Sequence, residues 1–294
     1  MTTSAAASEL EQLGFVVLPG VFSPEEARRL RKQIVELSRE EDASGDPRRR
    51  FDCWEGVTRH PQLWAAIFHE PLLHAVRELL GEGVRYAHNS EVHANNAGFL
   101  WHRDCIDQTC GVGPDWDDSV APYQVVRACI YLQSHEESGF RLGVVPGSHR
   151  FTRKTLAGLA IDASGIVIRR LRPTSWDPRR RPQPLVSTEP GWRALLQPAA
   201  PRWIRIGFGD CVVLNQRLLH SASEVHGPHY AIYFSYGRDD VHTRRQCFHY
   251  RDERPDRPQF PPPSELADRL AAAELLLEGD RHDRRDSANE RGVA

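Results

Sequence analysis

The sequence predicts a mainly β protein, a sandwich or a small barrel, with helices in front of it. From about residue 84 onward, short runs of β-forming residues recur, and clusters of Gly, Pro, Asn and Asp separate them. Before that point, two segments carry apolar residues at the spacing of amphipathic helices. Many short strands with turn signals between them are typical of sandwiches and barrels.

The composition is that of a soluble globular protein. The 294 residues include 38 Lys and Arg against 40 Asp and Glu, and 40% of them are hydrophobic. No apolar run approaches the roughly 18 residues of a membrane span, the first residues lack the layout of a secretory signal, and the near-zero net charge disfavours a nucleic-acid binder. Six cysteines without a Cys-x-x-Cys pair favour a reducing compartment. We therefore expect a cytoplasmic protein without a nucleic-acid or membrane partner, and its oligomeric state stays open.

The N-terminal part is predicted to contain one strand and two helices. Residues 14–19 form a short apolar run that predicts a buried strand. Ser23 is a predicted N-cap, Pro24 follows at the first helical position, and Glu26 completes a capping box. The second helix covers roughly 71–80. The predicted apolar faces comprise Ala27, Leu30, Ile34 and Leu37 in the first helix, and Leu72, Leu73, Val76, Leu79 and Leu80 in the second.

Strand-like runs make up most of the remaining sequence. They are 84–93, 99–102, 123–132, 142–145, 203–208, 211–214 and 230–236. A Pro- and Arg-rich stretch at about 167–202 is too long for an ordinary connection, so it predicts a lid or a substrate-facing loop. We expect one domain over 1–277 and a frayed polar tail over 278–294.

The sharpest local feature is the run Trp-His-Arg-Asp at 101–104. Residues two apart in a strand point the same way, so His102 and Asp104 can present a nitrogen and an oxygen to one point. A second strand, within 209–220, ends in His220. Two histidines and one carboxylate are the ligand set of non-haem Fe(II) oxygenases, which leaves positions open for a co-substrate and O2. A bare His-x-Asp also arises by chance in a chain with 14 histidines, so the wider context must decide.

Four sequence blocks in a fixed order supply that context. They are Gly-Phe-Val-Val-Leu-Pro-Gly-Val-Phe-Ser-Pro-Glu-Glu at 14–26, Trp-His-Arg-Asp at 101–104, Leu-Gly-Val-Val-Pro-Gly-Ser-His at 142–149, and Gly-Asp…His at 209–220. Together they resemble the phytanoyl-CoA dioxygenase family of Fe(II)/2-oxoglutarate enzymes, over roughly 14–237. The resemblance implies a double-stranded β-helix, which is a distorted, cupin-like jelly roll, with N-terminal helices packed on one sheet.

The resemblance also implies a ligand set and an activity. His102, Asp104 and His220 would hold Fe(II), with 2-oxoglutarate and O2 as co-substrates. Related halogenases carry a small residue in place of the carboxylate, so Asp104 favours oxygen transfer or desaturation over halogenation. The histidine of the Pro-Gly-Ser-His block, His149, is expected to be structural, because the metal set is complete without it.

The co-substrate site departs from the family pattern. Family members usually place an arginine on the strand after the second histidine, where its planar fork grips the distal carboxylate of 2-oxoglutarate. Here that position holds His229, so either a protonated His229 takes over or an arginine arrives from elsewhere. Arg127 is the best substitute, because it lies in an apolar strand where a charge needs an anionic partner. A structural ion pair is the equally weighted alternative for Arg127.

Further polar and aromatic residues complete the predicted site. The remaining co-substrate candidates are Asn89, Ser221 and Ser223, and the substrate candidates are Glu91, His93, Asp107, Trp116 and Tyr131. Strand alternation places Asn89, Glu91 and His93 on one face, and Arg127, Cys129 and Tyr131 on another. The acidic loop after the motif favours a cationic or polyhydroxylated substrate, whereas the arginines of the 167–202 stretch favour a phosphate or a carboxylate. The sequence leaves the substrate open.

The residues and the resemblance together predict a non-haem Fe(II)/2-oxoglutarate dioxygenase. It would hydroxylate a small polar metabolite, or desaturate or cyclise it, in natural-product biosynthesis. Two alternatives stay open. One is an iron oxygenase with another electron source or another 2-oxo acid, and the other is a non-catalytic relative that keeps the barrel as a binding module.

Overall fold

The fold is described from a computed structural model of the chain. The described residues are 5–41, 50–99, 101–150, 201–253 and 262–277. The predicted lid at 167–202, apart from its last two residues, lies outside these ranges, and so does the predicted tail at 278–294. In the described ranges, no helix combines the length and the apolar character that crossing a membrane requires.

Short strands dominate the second half of the described chain, as the turn-rich sequence predicts. The strands are β1 (Phe15–Leu18), β2 (Phe51–Trp54), β3 (Val84–Tyr86), β4 (Glu91–Ala94), β5 (Val125–Tyr131), β6 (Arg141–Val144), β7 (Arg202–Arg205), β8 (Cys211–Asn215), β9 (His220–Ala222) and β10 (Tyr230–Arg238). The α-helices are α1 (Ala5–Leu13), α2 (Pro24–Glu41), α3 (Gly56–Arg59), α4 (Glu70–Leu80), α5 (His135–Ser138), α6 (Val241–Phe248) and α7 (Ser264–Ala272). Short 3-10 helices cover Pro61–Ala66, Pro114–Trp116 and Ser148–Arg150, and one π-helical turn covers His249–Glu253.

The strands form two antiparallel sheets. The larger sheet has the order β1-β8-β5-β10-β4-β2, and β3 also pairs with β10. The smaller sheet has the order β7-β6-β9. One buried apolar cluster joins residues of β5, β8 and β10 to residues of β6 and β7, so the two sheets face each other across it.

The N-terminal helices cover the other face of the larger sheet. Alternation along β5 sends Val126, Ala128 and Ile130 into the same buried cluster as the apolar faces of α2 and α4. The four residues predicted for the face of α2 are the ones that are buried in it. Each fully buried aliphatic side chain stabilises the fold by about 1.5–3 kcal/mol, so this helical layer holds the sheet that carries the site.

The start of α2 has the predicted capping box. The backbone amide of Ser23 donates to the Glu26 carboxylate at 2.9 Å, and the amide of Glu26 donates back to the Ser23 hydroxyl at 3.3 Å. Pro24 is the first residue of the helix, where its missing N–H leaves no bond unmade. The local sequence signal therefore determines where this helix begins.

The predicted strand over 84–93 is wrong in its middle. It is broken into β3 and β4, because His88 and Asn89 adopt left-handed backbone conformations with φ of 53° and 52°. Both pieces pair with β10, but five positions separate Tyr86 from Glu91 while three separate their partners Tyr236 and Tyr233. The two additional residues form a bulge, so Asn89 does not continue the alternation of β4.

Other elements also differ from the sequence prediction. At 99 and 101–102, the described residues of the run predicted as a strand, no strand is present, and His102 makes an isolated bridge to His220. Helices α1, α3, α5, α6 and α7 fall in segments for which the sequence predicts no helix. Helix α6 proves to bear on the functional site, because it lies against the loop that follows the Trp-His-Arg-Asp run.

Candidate metal centre

His102 and His220 are joined through their backbones. The amide of His102 donates to the carbonyl of His220 at 2.9 Å, and the amide of His220 donates to the carbonyl of His102 at 3.0 Å. This exchange adds His102 to the edge of the smaller sheet beside β9, and the two imidazole centroids lie 4.3 Å apart. The sheet edge thus brings together two residues that are far apart in sequence.

A hydrogen bond donated by the ring of His220 through Nδ1 leaves its Nε2 atom available for a metal. The Nδ1 atom lies 2.9 Å from the carbonyl oxygen of Leu218. Since a carbonyl only accepts, Nδ1 carries the proton and Nε2 presents its lone pair. Metal-binding histidines in proteins are commonly oriented in this way.

The backbone of Asp104 is tied to three separate parts of the chain. Its amide donates to the carbonyl of Gln216 at 2.9 Å. Its carbonyl accepts from the side-chain amide of Gln246 at 3.3 Å and from the hydroxyl of Tyr250 at 3.2 Å. The turn that carries the carboxylate is therefore fixed by α6 and the π-helical turn after it, as well as by the turn that follows β8.

The three side chains converge. The carboxylate of Asp104 has Oδ1 at 3.6 Å from Nε2 of His102 and Oδ2 at 3.6 Å from Nε2 of His220. One ligand atom from each residue lies within 4.8 Å of the other two. The Oδ2 atom is buried and accepts no hydrogen bond from any described residue. A buried carboxylate oxygen between two imidazoles fits a divalent first-row metal ion, for which nitrogen and oxygen donors in this ratio are usual.

The protonation states suit metal binding. Burial, together with the neighbouring His102, lowers the pKa of His220 to about 4, so its imidazole is neutral at physiological pH. Burial by itself raises the pKa of Asp104, but Arg127, His220 and His102 together outweigh it and hold that pKa below its ordinary value. A neutral imidazole and an ionised carboxylate are the forms that bind a metal.

A cavity of about 290 Å³ opens onto these three residues. Its walls combine aromatic rings with a few charged and amide groups, which is typical of a small-molecule site. Besides the three metal-site residues, the lining comprises Trp54, Asn89, Glu91, Phe99, Arg103, Gln108, Arg127, Cys129, Tyr131, Phe140, Leu142, Ser221, Ala222, Tyr233 and Tyr250. Five predicted co-substrate or substrate residues are among them: Asn89, Glu91, Arg127, Tyr131 and Ser221.

Arg127 lies beside the metal site with its charge shared between two carboxylates. Its Nη2 is 3.0 Å from Oε1 of Glu91, and its Nε is 3.5 Å from Oδ2 of Asp104. The guanidinium also lies over the ring of Tyr233, with 5.4 Å to the centroid. The side chain is 6% exposed and lines the cavity, so Arg127 makes an ion pair at the cavity wall, and its role as the co-substrate anchor stays a prediction.

His229 does not line this cavity. Its ring is fully buried, 4.5 Å from the ring of Phe140, and its Nδ1 is 3.0 Å from the side-chain amide of Gln133. Burial lowers the pKa of His229 to about 3, which makes the imidazole neutral. A protonated His229 that binds a carboxylate is therefore not what the structure contains, because the position packs into the core between the sheets.

Four further predicted residues also lie outside the lining: His93, Asp107, Trp116 and Ser223. Asp107 and Asp115 each accept from the other's backbone amide, and both bind the guanidinium of Arg245 in α6. The loop after the motif thus folds onto itself instead of presenting its acids to the cavity mouth. The indole of Trp116 donates to the carbonyl of Asp107, and the Ser223 hydroxyl accepts from the amide of Arg141.

Several lining residues were not predicted. Tyr250 comes from the π-helical turn and Trp54 from β2, while Tyr233 lies on β10 opposite Glu91. Of these three residues, only Tyr233 could have been found from the sequence, because the alternation of β10 places it on the face that meets the cavity. Trp54 and Tyr250 reach the cavity through chain folding for which the sequence carries no local pattern.

Comparisons with known proteins bear on the fold. No protein-family model and no curated protein sequence matches the chain. Among solved structures, it is similar to the non-heme alpha ketoglutarate dependent epimerase SnoN from nogalamycin biosynthesis, with TM-score 0.53 and 14% identity over 80% of this chain and 81% of that one. It is also similar to HygX from Streptomyces hygroscopicus with nickel and 2-oxoglutarate bound, with TM-score 0.52 and 21% identity over 80% of this chain and 87% of that one.

A third similar structure is the non-heme alpha ketoglutarate dependent carbocyclase SnoK from nogalamycin biosynthesis. Its TM-score is 0.51, and the identity is 17% over 81% of this chain and 85% of that one. At these identities the likeness concerns the fold. The chain therefore has the fold of these alpha-ketoglutarate-dependent enzymes.

Proposed function

We propose that the protein is an Fe(II)- and 2-oxoglutarate-dependent dioxygenase that oxidises a small polar metabolite in natural-product biosynthesis. The observation that carries the proposal is the convergence of His102, Asp104 and His220 at the wall of a cavity that combines aromatic, charged and amide side chains. The sequence blocks that resemble the phytanoyl-CoA dioxygenase family and the similarity to SnoN, HygX and SnoK support it. We assign the two facing sheets to the double-stranded β-helix of that family on the same grounds.

His102, Asp104 and His220 would hold the iron. When it is bound with 2-oxoglutarate and O2, ferrous iron supplies the oxidative decarboxylation of the co-substrate to succinate and CO2 and the removal of hydrogen from the substrate. Each of the three residues has a backbone anchor, so the ligand set is in place before a metal arrives. The carboxylate at Asp104 supports oxygen transfer, desaturation or ring closure as the outcome.

The protein's own residues would orient the reactants and keep water out. The aromatic side chains of Phe99, Phe140 and Tyr233 line the cavity and provide apolar walls. Arg127 is the proposed partner of a co-substrate carboxylate, since it is a cation of the lining that lies within 3.5 Å of a metal-site residue. Asn89, which also lines the cavity, is proposed to donate a hydrogen bond to the co-substrate, whereas the hydroxyl of Ser221 in the lining donates to the carbonyl of Phe99 at 2.7 Å.

The proposed substrate is a compact polar molecule. A cavity of about 290 Å³ that must also hold the co-substrate leaves room for only part of a large ligand. Charged and amide groups, among them Glu91, Gln108 and Arg103, stand beside aromatic rings in the lining. Such a mixture suits a ring system that carries hydroxyl or amino groups.

Anaerobic reconstitution tests the proposal directly. The purified protein would be loaded with Fe(II) and titrated with 2-oxoglutarate, and the weak visible charge-transfer band of the chelate would be recorded. We expect the band in the unmodified protein and its loss in His102→Ala, which removes an imidazole ligand. If iron binds and no band develops, the co-substrate is a different one. If no metal binds at all, the fold serves as a binding module.

A further inference from the structure

A row of charged side chains in contact with one another leads from the protein surface to the metal site. His93 has its Nε2 at 3.2 Å from Oδ1 of Asp52 and at 3.2 Å from Oε2 of Glu91. The other oxygen of Glu91, Oε1, lies 3.0 Å from Arg127, which in turn contacts Asp104. If His93 is protonated, the side-chain charges alternate between negative and positive along this row.

The sheet register explains why these residues meet. Asp52 of β2 lies directly opposite His93 of β4, and Glu91 lies two residues before His93 on the same face. Arg127 of β5 reaches the same place from the far side of β10, which separates β5 from β4. The contacts in this row of charges therefore depend on the pairing of four strands, β5, β10, β4 and β2.

The side chains in this row of charges are buried to different degrees. Glu91 is 12% exposed and His93 is 4% exposed, whereas Asp52 is 29% exposed. Burial by itself lowers the pKa of His93, but the two carboxylates outweigh it and raise that pKa above its ordinary value. A protonated His93 gives Glu91 a cation on each side, since Arg127 contacts its other oxygen.

We infer that Glu91 is a selectivity residue for the co-substrate, because its carboxylate already occupies the guanidinium of Arg127. A 2-oxo acid with a second carboxylate must compete with Glu91 for Arg127, whereas a 2-oxo acid with a single carboxylate does not need that contact. This inference rests on the proposed function. His93 keeps Glu91 paired when Arg127 turns to the co-substrate, so the displacement leaves no buried charge without a partner.

Direct binding measurements test the inference without turnover. Nickel-loaded protein would be titrated calorimetrically with 2-oxoglutarate and with 2-oxobutyrate, which lacks the distal carboxylate. We expect Glu91→Gln to tighten 2-oxoglutarate binding by about tenfold and to change 2-oxobutyrate binding by less than about twofold. His93→Gln should weaken 2-oxoglutarate binding, because it removes the cation that draws Glu91 away from Arg127.

Two controls make the result specific. Glu137→Gln breaks a carboxylate–arginine pair with Arg31 at 2.7 Å, outside the cavity lining, and should change neither affinity. In an Arg127→Gln background, Glu91→Gln should no longer tighten 2-oxoglutarate binding, as a double-mutant cycle requires for a direct coupling. Persistence of the full effect in that background contradicts the inference.

The remaining outcomes separate this inference from the proposed function. If 2-oxoglutarate binds equally well to the unmodified protein and to Glu91→Gln, the inference is wrong while the proposed function stands. If nickel binds but neither variant binds 2-oxoglutarate, the proposed function fails. If the protein takes up a second equivalent of nickel that survives His102→Ala and is lost in His93→Gln, then Asp52, Glu91 and His93 form a metal site and the inference is overturned.

Discussion

His102 and His220 exchange a pair of backbone hydrogen bonds, 2.9 Å in one direction and 3.0 Å in the other. The bridge holds two imidazoles side by side with no contribution from the side chains themselves. A substitution of either side chain should therefore leave the bridge in place. Loss of a ligand can then be measured in a protein that keeps its fold.

The first prediction concerns metal binding. We expect His102→Ala and Asp104→Ala each to lower the affinity for Ni(II) by at least about a hundredfold, because each removes one of three protein ligands. Calorimetric titration measures the affinity, and circular dichroism checks that the fold is kept. His74→Ala, which alters a histidine whose side chain is 75% exposed, is the matched control and should bind Ni(II) normally. Unchanged affinity in Asp104→Ala would contradict the assignment of the metal site.

The second prediction concerns the co-substrate anchor. We expect Arg127→Ala to raise the apparent 2-oxoglutarate constant by about tenfold or more, because the variant removes the cation proposed to bind a co-substrate carboxylate. His229→Asn should have a much smaller effect, since His229 is neutral and outside the cavity lining. Steady-state assays at varied 2-oxoglutarate measure both constants. The reverse order of effects would move the anchor to His229.

The third prediction concerns the loop that follows the metal site. Arg245 lies 2.5 Å from Oδ1 of Asp115, a carboxylate that is fully buried. Arg245→Met leaves this charge without its cation, so we expect a loss of about 3–5 kcal/mol in the free energy of unfolding. Urea denaturation measures it, and Asp115→Asn in the same background should recover part of the loss.

A neighbouring pair supplies the control for that experiment. Arg244 and Asp239 are in contact at 2.6 Å, but their side chains are 35% and 23% exposed. Arg244→Met should therefore lower the free energy of unfolding by less than about 1 kcal/mol. Equal losses in Arg244→Met and Arg245→Met would mean that the burial of Asp115 contributes nothing.

The fourth prediction concerns stability at acid pH. His149 is buried with Nε2 at 3.0 Å from the carbonyl of Glu11, and burial lowers its pKa to about 4. The folded protein keeps this imidazole neutral, whereas the unfolded chain takes up a proton below about pH 6.5. The contribution of His149 to stability is thus full above that pH and is lost as the pH falls toward 4.

Urea unfolding of the metal-free protein at several pH values measures this dependence. We expect the free energy of unfolding to decrease between about pH 6.5 and pH 4, and His149→Gln to make that decrease smaller. His74→Gln, at an exposed position, is the matched control and should keep the slope of the unmodified protein. An identical slope in all three proteins would exclude His149 as a source of the acid sensitivity.

Local features of this protein could be predicted from the sequence because their determinants are adjacent in the chain. The capping box of Ser23 and Glu26 is such a case, and so is the alternation that places Arg127, Cys129 and Tyr131 on the cavity face of β5. The break at His88 and Asn89 was missed because neither residue is a glycine. Their left-handed conformation follows from the pairing of β3 and β4 with one strand, β10.

The sequence by itself determined the fold class and the positions of most main strands along the chain, and its resemblance to a known family pointed to the candidate ligands His102, Asp104 and His220. The tertiary structure alone decided what surrounds them. It placed His229 in the core, turned Asp107 toward Arg245, and brought Glu91 to Arg127. The physical reason is that the charge state and pKa of a side chain depend on partners contributed by distant strands and helices. The spacing of residues in the sequence does not show which of these partners come into contact.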